Sequence, residues 1–460
     1  MAGEVAEATQ VKEVTQALAR FAATVRLEDI PDRAREYCKS ILLDTLACAL
    51  AGHRGEETHQ LAALAGALAQ SKEASVIGAD RLSLAGATLL NGYLVTAVTM
   101  CDVHRPTTTH VTPEVIPAAL AIGERDAASG RELLLAIAVG CEATTRVGLG
   151  LDYPAFRARG FHGPGVIGPF GAAAAVGRLR RFDADTMAAA FGLAGSQAAG
   201  TFAAWGTPTV KFHQCRGALS GLMAALLAEQ RFVATREFLT AADGGLYKSY
   251  SNGGRPQAVV DELGRRWELE QIALRLWPSA STIQGLITAM FDLVEKHGAR
   301  PERFGKLRVF LGKTAFEMHG GFCPYKGKFE ALLSAHYAAA VILHDGELSL
   351  AQFEPVRYND PKLARFAAEQ VEVAADTSLS GVQARVEAQT TDGSIITLRC
   401  DQPKGAPERP LTRAEVEAKF RTYAKAQLSG ERIEEAIRLV SRLEELGSTR
   451  NLMEILRTDK

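Results

Sequence analysis

The sequence has no long hydrophobic run and no excess of charge of either sign. Its richest apolar stretch, 133–139, is far shorter than the roughly 18 residues of a membrane-spanning helix. Lys and Arg number 52 and Asp and Glu 53, so the formal net charge is −1. Binding to nucleic acid or an anionic membrane needs a concentrated excess of basic residues. We therefore expect neither as a partner.

Cysteine is sparse, and its spacing excludes the common zinc and redox motifs. The seven cysteines are never closer than ten residues, so the sequence contains no CxxC pair. An odd number of scattered thiols in a long chain suits a reducing compartment. Residues 1–26 carry charges such as Glu4, Glu7 and Lys12 within an amphipathic pattern, unlike a secretory signal. We expect a cytoplasmic protein.

The first half of the chain has the periodicity of packed helices. Apolar residues between Ala34 and Ala49 follow helical spacing, and Gly52 stands where a left-handed cap could end that helix. Ser129 and Glu132 form a capping-box pattern before a segment that is apolar on nearly all sides. Ala-rich stretches at 112–125, 166–179, 185–198 and 215–230 are also helical in period. Small side chains permit close helix packing, which predicts a helical bundle.

After about residue 255 the pattern changes to mixed strands and helices. Strands are predicted at 307–311 and 371–373, and a hairpin joins 382–388 to 395–400 across Asp392-Gly393. Residues 281–297, 328–342 and 412–446 keep helical periods. The expected fold is mainly α, with a large helical bundle domain and a smaller α+β domain. The predicted domains are 1–255, completed by 404–460, and 256–403.

Histidines concentrate in four segments where polar residues stand beside Gly or Pro. These segments lie outside the periodic apolar patterns of the predicted helices and strands. Six of the ten histidines lie in these segments or at their borders. Histidine titrates nearest neutrality, so its clustering is the best functional signal in the chain. The alternative is that each ring only satisfies a backbone carbonyl, which is less expected of four segments together. The segments are 102–110, 160–165, 206–213 and 318–326, and the six histidines are His104, His110, His162, His213, His319 and, more loosely, His336.

Basic residues near these segments favour an anionic ligand over a metal. Lys211, Arg216, Arg275 and Lys326 would hold a carboxylate and stabilise an enolate formed from it. The spacer in 104–110 lacks the helical spacing of paired metal ligands, so no metal is predicted. The glycines at 163–165 lack the Lys-Ser/Thr of a phosphate loop, and close helix packing explains them better.

Several short strings, in their order along the chain, resemble one known family. They are Ile41-Leu42-Leu43-Asp44-Thr45-Leu46, His110 with 115–120, Gly160-Phe161-His162 with 168–175, 195–200, Lys211-Phe212-His213 and Asp345-Gly346-Glu347-Leu348. Together they resemble the MmgE/PrpD family. That resemblance implies a large helical domain with a smaller α+β lid, a homodimer, and no metal or organic cofactor.

The resemblance also implies a reaction and a set of site residues. Members of the family remove a proton next to a carboxylate of a small polycarboxylate, and then lose water or carbon dioxide or return the proton on the other face. His110, His162, His213 and Arg275 match basic positions of the family motifs. His319 lies near a position where relatives carry Tyr, and Lys211 is one position from the usual Lys.

Thr99 stands where the family has an Asp that is generally regarded as catalytic. We expect Asp102 and His104 to take over part of its role. The leading hypothesis is a cofactor-independent lyase, either a dehydratase or a decarboxylase, with its site at the seam between the domains. His110 or His162 would act as the base, and Lys211, His213, Arg275 and His319 would bind the substrate.

Other functions remain open at this point. The family chemistry also allows an isomerase or epimerase that abstracts a proton and returns it. The family's Asp, Cys and His positions are occupied here by Thr99, Ala280 and Gln284, which is compatible with a non-catalytic relative that binds a carboxylate ligand. A biosynthetic enzyme for a larger acyl or cyclic substrate would show an apolar pocket around Trp205 and Phe322.

Overall fold

Helices dominate the computed structural model, which describes residues 13–298 and 300–458. The first twelve residues of the predicted amphipathic segment lie outside this range. The helices are α1 Val14–Thr24, α2 Asp32–Gly52, α3 Thr58–Leu68, α4 Leu84–Thr96, α5 Thr112–Arg125, α6 Gly130–Leu149, α7 Tyr153–Ala158, α8 Gly163–Leu179, α9 Ala184–Gly195, α10 Thr209–Glu229, α11 Leu246–Ser251, α12 Gln284–His297, α13 Lys313–His319, α14 Lys328–Leu333, α15 Ala335–Asp345, α16 Pro355–Tyr358, α17 Pro361–Glu369, α18 Arg413–Ala424, α19 Gly430–Ser441 and α20 Thr449–Leu456.

The strands are short in the first half and longer after residue 300. They are β1 Ala74–Ser75, β2 Arg81–Leu82, β3 Val103–His104, β4 Ile272–Ala273, β5 Phe304–Leu311, β6 Val371–Ala375, β7 Ala384–Thr390 and β8 Ile395–Cys400. Within the described ranges, no helix combines the length and apolar character needed to cross a membrane.

The chain divides into two compact units. Unit 1 consists of Met1–Ala97, Cys101–Ala273 and Thr412–Lys460, and unit 2 consists of Val98–Met100 and Leu274–Leu411. The sequence prediction put the boundaries at 255 and 404 instead. Residues 256–273 group with unit 1 because β4 pairs with β3, and because Arg146 of α6 donates to backbone carbonyls of Val259 and Arg266.

Unit 1 is the predicted helical bundle, with α8 and α10 in its interior. Small residues let these helices approach their neighbours closely. A Cβ on Gly171 of α8 would lie 2.6 Å from the carbonyl oxygen of Gly140 on α6. A Cβ on Gly221 of α10 would lie 2.4 Å from the carbonyl oxygen of Pro169. Glycine at these positions permits backbone contact that no other residue allows.

Two helix predictions in unit 1 have different outcomes. Ser129 and Glu132 form the predicted capping box at the start of α6, where Ser129 Oγ accepts from the Glu132 amide. The predicted left-handed cap at Gly52 is wrong, since α2 runs through Gly52 and His53 follows in right-handed conformation. Gly52 is instead needed for packing, because a Cβ there would lie 2.0 Å from the carbonyl oxygen of Leu94.

Unit 2 is the predicted α+β region. Its sheet has the order β6-β5-β7-β8, with β5 parallel to β6 and antiparallel to β7. The predicted hairpin is β7 and β8, and Gly393 in its turn has a φ of 90°. The helix predicted at 328–342 is two helices, because Ser334 leaves helical conformation and its hydroxyl accepts from the Tyr337 amide to cap α15.

Candidate active site

Two histidines from distant parts of the sequence meet in unit 1. His162 immediately precedes α8, and His213 lies near the start of α10. Their Nδ1 atoms are 3.0 Å apart, and both rings are buried. One Nδ1 must therefore carry a hydrogen and donate a hydrogen bond to the other Nδ1. The pair forms a hydrogen bond only while at least one ring is neutral.

The surroundings keep this histidine pair neutral. Burial is the main cause that lowers the pKa of His162 to about 3, and His213, His110 and Arg157 contribute to this shift in the same direction. Burial also lowers the pKa of His213, with Arg216 adding to the effect. A neutral imidazole can accept a proton from a substrate or donate a hydrogen bond to it.

Backbone pairing between two loops places the rings. The His162 amide donates to the carbonyl of Gly200 at 3.1 Å, and the Phe202 amide donates to the carbonyl of Gly160 at 2.6 Å. Gly200 has a φ of 132°, and a Cβ there would lie 3.1 Å from the ring of His213. Glycine at this position thus leaves room for the second imidazole.

His110 is the third histidine of this region. Its Nδ1 donates to the backbone carbonyl of Asp102 at 2.6 Å, which leaves the lone pair of the neutral ring on Nε2. A Cβ on Gly163 would lie 3.3 Å from the hydroxyl of Thr109, so the segments that carry His110 and His162 are adjacent. The structure therefore brings together His110, His162 and His213.

The carboxylate of Asp102 caps the helix that follows His110. It accepts from the amides of Val111 and Thr112, both at 3.0 Å, and from the hydroxyl of Thr112 at 2.5 Å. Burial raises the pKa of Asp102 against the opposing influence of His110 and these hydrogen bonds. Asp102 thus holds the start of α5 and, through its own carbonyl, the ring of His110.

His104 has different neighbours from the other three histidines. Its ring is fully buried, and its Nδ1 is 2.8 Å from the hydroxyl of Thr107. Its Nε2 is 3.5 Å from Glu268 Oε2, in poor alignment for a hydrogen bond. Burial lowers the pKa of His104, while Glu268 opposes that shift. His104 therefore belongs to a buried contact with Glu268.

Lys211 forms an ion pair on α10. Its Nζ lies 3.4 Å from Glu57 Oε2, and the hydroxyl of Tyr93 donates to the same oxygen. Residues two positions apart on a helix point about 200° apart. Lys211 and His213 therefore leave α10 in nearly opposite directions.

Arg275 and His319 belong to unit 2, and their roles in binding stay predictions. The Arg275 guanidinium is buried and donates to the carbonyl of Ser279 at 2.8 Å. His319 Nδ1 donates to the carbonyl of Leu333 at 2.9 Å, and Nε2 is 2.6 Å from the hydroxyl of Thr282. Burial lowers the pKa of His319 to about 4. Like His110, His319 satisfies a backbone carbonyl.

Sequence reasoning missed one buried acid near Asp102 and Arg216. Glu114 on α5 is fully buried, and neither carboxyl oxygen has a hydrogen-bond partner among the described residues. Burial raises the pKa of Glu114 well above its ordinary value, and the charge of Asp102 adds to the rise. A Cβ on Gly168 would lie 2.4 Å from its carboxyl carbon. In the sequence Glu114 looks like an ordinary polar residue in the first turn of a helix.

Sequence reasoning also missed Arg157. Its guanidinium carbon lies 3.5 Å from the ring centroid of Phe202, whose ring contacts His162 edge to face at 5.5 Å. The only sequence signal was its position five residues before His162.

The arrangement is suited to proton transfer near a bound anion. It combines neutral imidazoles with nearby guanidinium groups in unit 1, so it can accept a proton while attracting a carboxylate. Over residues 13–298 and 300–458, no three His, Cys, Asp or Glu side chains are grouped as metal ligands.

Comparison with known proteins decides the family. The family model of the MmgE/PrpD N-terminal domain matches residues 16–258, and that of the MmgE/PrpD C-terminal domain matches residues 277–445. The chain belongs to the MmgE/PrpD family. The resemblance seen in the short strings is therefore confirmed.

Curated relatives cover nearly the whole chain. A cis-aconitate decarboxylase-like protein of Aspergillus oryzae is 27% identical, over 98% of this chain and 99% of its own length. A cis-aconitate decarboxylase of Aspergillus terreus is 27% identical, with 96% of each chain covered. The human cis-aconitate decarboxylase is 26% identical, over 95% of this chain and 93% of its own length. This MmgE/PrpD protein is an enzyme of the lyase type, in a family of decarboxylases and dehydratases.

Proposed function

We propose that the protein releases carbon dioxide from a small unsaturated polycarboxylate, with cis-aconitate as the first substrate to test. The observation that carries the proposal is the contact between His162 and His213, with His110 and the guanidinium of Arg157 close enough to contribute to the low pKa of His162. The names of the relatives favour decarboxylation over loss of water. As the family resemblance implies, the reaction would use no metal or organic cofactor.

The chemistry requires proton donation at carbon. When the bond to a carboxyl group breaks, carbon dioxide leaves and the bonding electron pair stays on the substrate, where a carbon must receive a proton. Loss of water would instead need a base to take a proton from carbon and an acid to protonate the departing hydroxyl. Positioned imidazoles serve either reaction.

We assign this proton transfer to His110. Its Nδ1 is held by the carbonyl of Asp102, so Nε2 is the nitrogen that exchanges a proton with substrate. The neutral His162–His213 pair would orient the substrate by hydrogen bonding, since the low pKa of His162 makes it a weak base. Asp102 would act as a positioning residue for His110.

The remaining predicted residues have supporting roles in this proposal. Binding of carboxylate groups by Lys211, Arg275 and His319 stays a prediction, and Lys211 would act away from the His162–His213 pair. His104 would hold its loop through Thr107 and Glu268.

Purified protein with cis-aconitate tests the proposal. Carbon dioxide release is measured together with proton NMR of the product in heavy water. We expect His110→Gln and His162→Gln each to lower kcat/KM about 100-fold or more. His59→Gln is the matched control, because His59 is exposed on α3. All three variants should keep the melting temperature within a few degrees.

The same assay separates the alternatives. Solvent deuterium entering the substrate without loss of carbon dioxide or water would indicate an epimerase instead. Full activity in both His110→Gln and His162→Gln would refute the assigned roles.

The family resemblance also implies a homodimer, and we propose that α10 contributes to its interface. Met223 and Leu227 lie one turn apart on α10 with 46% and 40% of their surface exposed, and Phe232 and Val233 just after it are 56% and 91% exposed. Contiguous exposed apolar residues are typical of protein contacts. Light scattering should show a dimer that Leu227→Glu weakens, whereas the same substitution at Val356, which is 87% exposed in unit 2, should have no effect.

A further inference from the structure

Arg157 is a half-buried guanidinium without an anionic partner. Among the residues that the structure describes, no carboxylate lies within ion-pair distance of it, and it donates no hydrogen bond. Its neighbour Arg159, by contrast, is exposed and donates to the carbonyl of Ser249 at 2.5 Å. A guanidinium removed from water is normally paired with a carboxylate or with carbonyls.

The aromatic contact holds the guanidinium in place without using its hydrogen-bond donors. The guanidinium carbon of Arg157 lies 3.5 Å from the ring centroid of Phe202. Stacking on an aromatic face leaves the N–H groups of Arg directed outward in their plane, where they match the two oxygens of a carboxylate. Arg157 is therefore oriented but still able to bind an anion.

The platform under Arg157 is itself fixed to the histidine site. Phe202 stacks with Trp205 at 5.2 Å between centroids and contacts the ring of His162 at 5.5 Å. The backbone bonds from Phe202 to Gly160 and from His162 to Gly200 join the two loops. The charge of Arg157 also contributes to the low pKa of His162. An anion on Arg157 would thus lie beside His162.

We propose that Arg157 binds a carboxylate of the substrate in a two-pronged hydrogen bond, with Phe202 as the surface on which its guanidinium rests. This inference rests on the proposed function and adds a specificity-determining residue to it. The group bound would be a carboxylate that the reaction leaves in place, so that the anchor holds through the bond-breaking step. Uncharged esters of the same acids should bind poorly.

Calorimetric titration of the full chain with propane-1,2,3-tricarboxylate tests binding without turnover. We expect Arg157→Gln to weaken binding about 10- to 100-fold, the loss expected for a charge-assisted pair. Arg157→Lys, which keeps the charge but not the planar fork, should fall between Arg157→Gln and the parent. Arg159→Gln is the matched control, with the same charge change two residues away, and should bind like the parent.

Kinetics with cis-aconitate provide a second measurement. Loss of an anchor should raise KM more than it lowers kcat, whereas a purely structural role would change melting temperature and kcat. If Arg157→Gln does not fold, Arg157→Lys replaces it in both measurements, and its affinity must then fall below that of the parent.

Each other result has a defined meaning. Parent-like binding by Arg157→Gln would overturn this inference and leave the proposed function intact. Equal losses in Arg157→Gln and Arg159→Gln would indicate a general effect of charge and would also overturn it. Failure of the parent to bind any tricarboxylate would overturn the substrate class of the proposed function, and the inference with it.

Discussion

Unit 1 contains two sets of buried or half-buried ionisable side chains, and they differ in how completely their polar atoms are satisfied. In the first, Arg146 donates from Nε to Glu142 at 2.6 Å and from its other nitrogens to several backbone carbonyls. Glu142 also accepts from the amides of Glu268 and Leu269. In the second, Glu114 has no hydrogen-bond partner among the described residues, and Arg157 has only the Phe202 ring.

This difference separates stability from function. A buried charge with a full set of partners holds helices and loops together, and it has no donor or acceptor left for a ligand. Incompletely satisfied groups cost stability, and they are retained where binding or chemistry uses them. The Glu142–Arg146 pair is thus expected to matter for folding, and the histidine region for activity.

The largest effect should follow from breaking the satisfied pair. Arg146→Met leaves the buried carboxylate of Glu142 without its counter-charge and several carbonyls without their donor, and it should lower the free energy of unfolding by about 3–5 kcal/mol. Urea unfolding measures this. Arg181→Met is the control, because its pair with Glu132 is exposed. Similar midpoints for both variants would contradict the contrast between the regions.

The next effect is the pH dependence of stability that arises from His162. The unfolded chain binds this proton near pH 6.5, but the folded protein binds it only near the pKa of about 3. The stability contributed by the buried neutral imidazole of His162 is therefore fully present above pH 6.5, and it is lost as the pH falls toward 3. From pH 6.5 to 4.5 the parent should lose about 2–3 kcal/mol more than His162→Asn. The unfolding free energies of the parent and of His162→Asn are measured across that range. Equal slopes against pH for the two proteins would show that His162 titrates at its ordinary pKa and would contradict the prediction.

Glu114 should give the opposite slope. Because burial raises its pKa in the folded protein, the folded state holds this proton where the unfolded chain has released it, and stability falls as the pH rises above about 4.5. Glu114→Gln removes this loss, so its stability relative to the parent should rise between pH 4.5 and 6. Denaturant titrations at both pH values provide the measurement. An unchanged difference between variant and parent would mean that Glu114 is ionised in the fold.

The smallest effect concerns a buried hydroxyl that lacks a partner. Thr144 on α6 is fully buried, and its Oγ1 has no hydrogen-bond partner among the described residues. Thr144→Val has nearly the same shape and should stabilise the protein by about 0.5–1 kcal/mol. Thr145→Val serves for comparison, because Thr145 Oγ1 donates to the carbonyl of Cys141 at 2.8 Å. A loss of stability in Thr144→Val would show that its hydroxyl is satisfied.

The local elements were largely predictable from the sequence. The capping box at Ser129, the helix that follows it and the hairpin around Gly393 are specified by residues a few positions apart. Gly52 shows the limit of such reasoning. Its role depends on Leu94 on another helix, and local patterns carry no information about that contact.

The site was predictable only as a set of candidates. His104 and His162 both stand in short segments that contain Pro, and they looked equivalent in the sequence. Folding gives His104 the contacts with Thr107 and Glu268, and gives His162 a histidine partner 51 residues away. Glu114 and Arg157 carried almost no local signal, because their importance comes from what surrounds them.

By itself the sequence determined the helical and α+β regions, the family and the histidines worth considering, since these depend on periodicity and on residue types along the chain. Only the tertiary structure decided which imidazoles meet, which acid is left without partners and which guanidinium rests on an aromatic ring. Those properties depend on desolvation and on distances of a few ångströms between residues far apart in the chain, and both arise only when the helices pack.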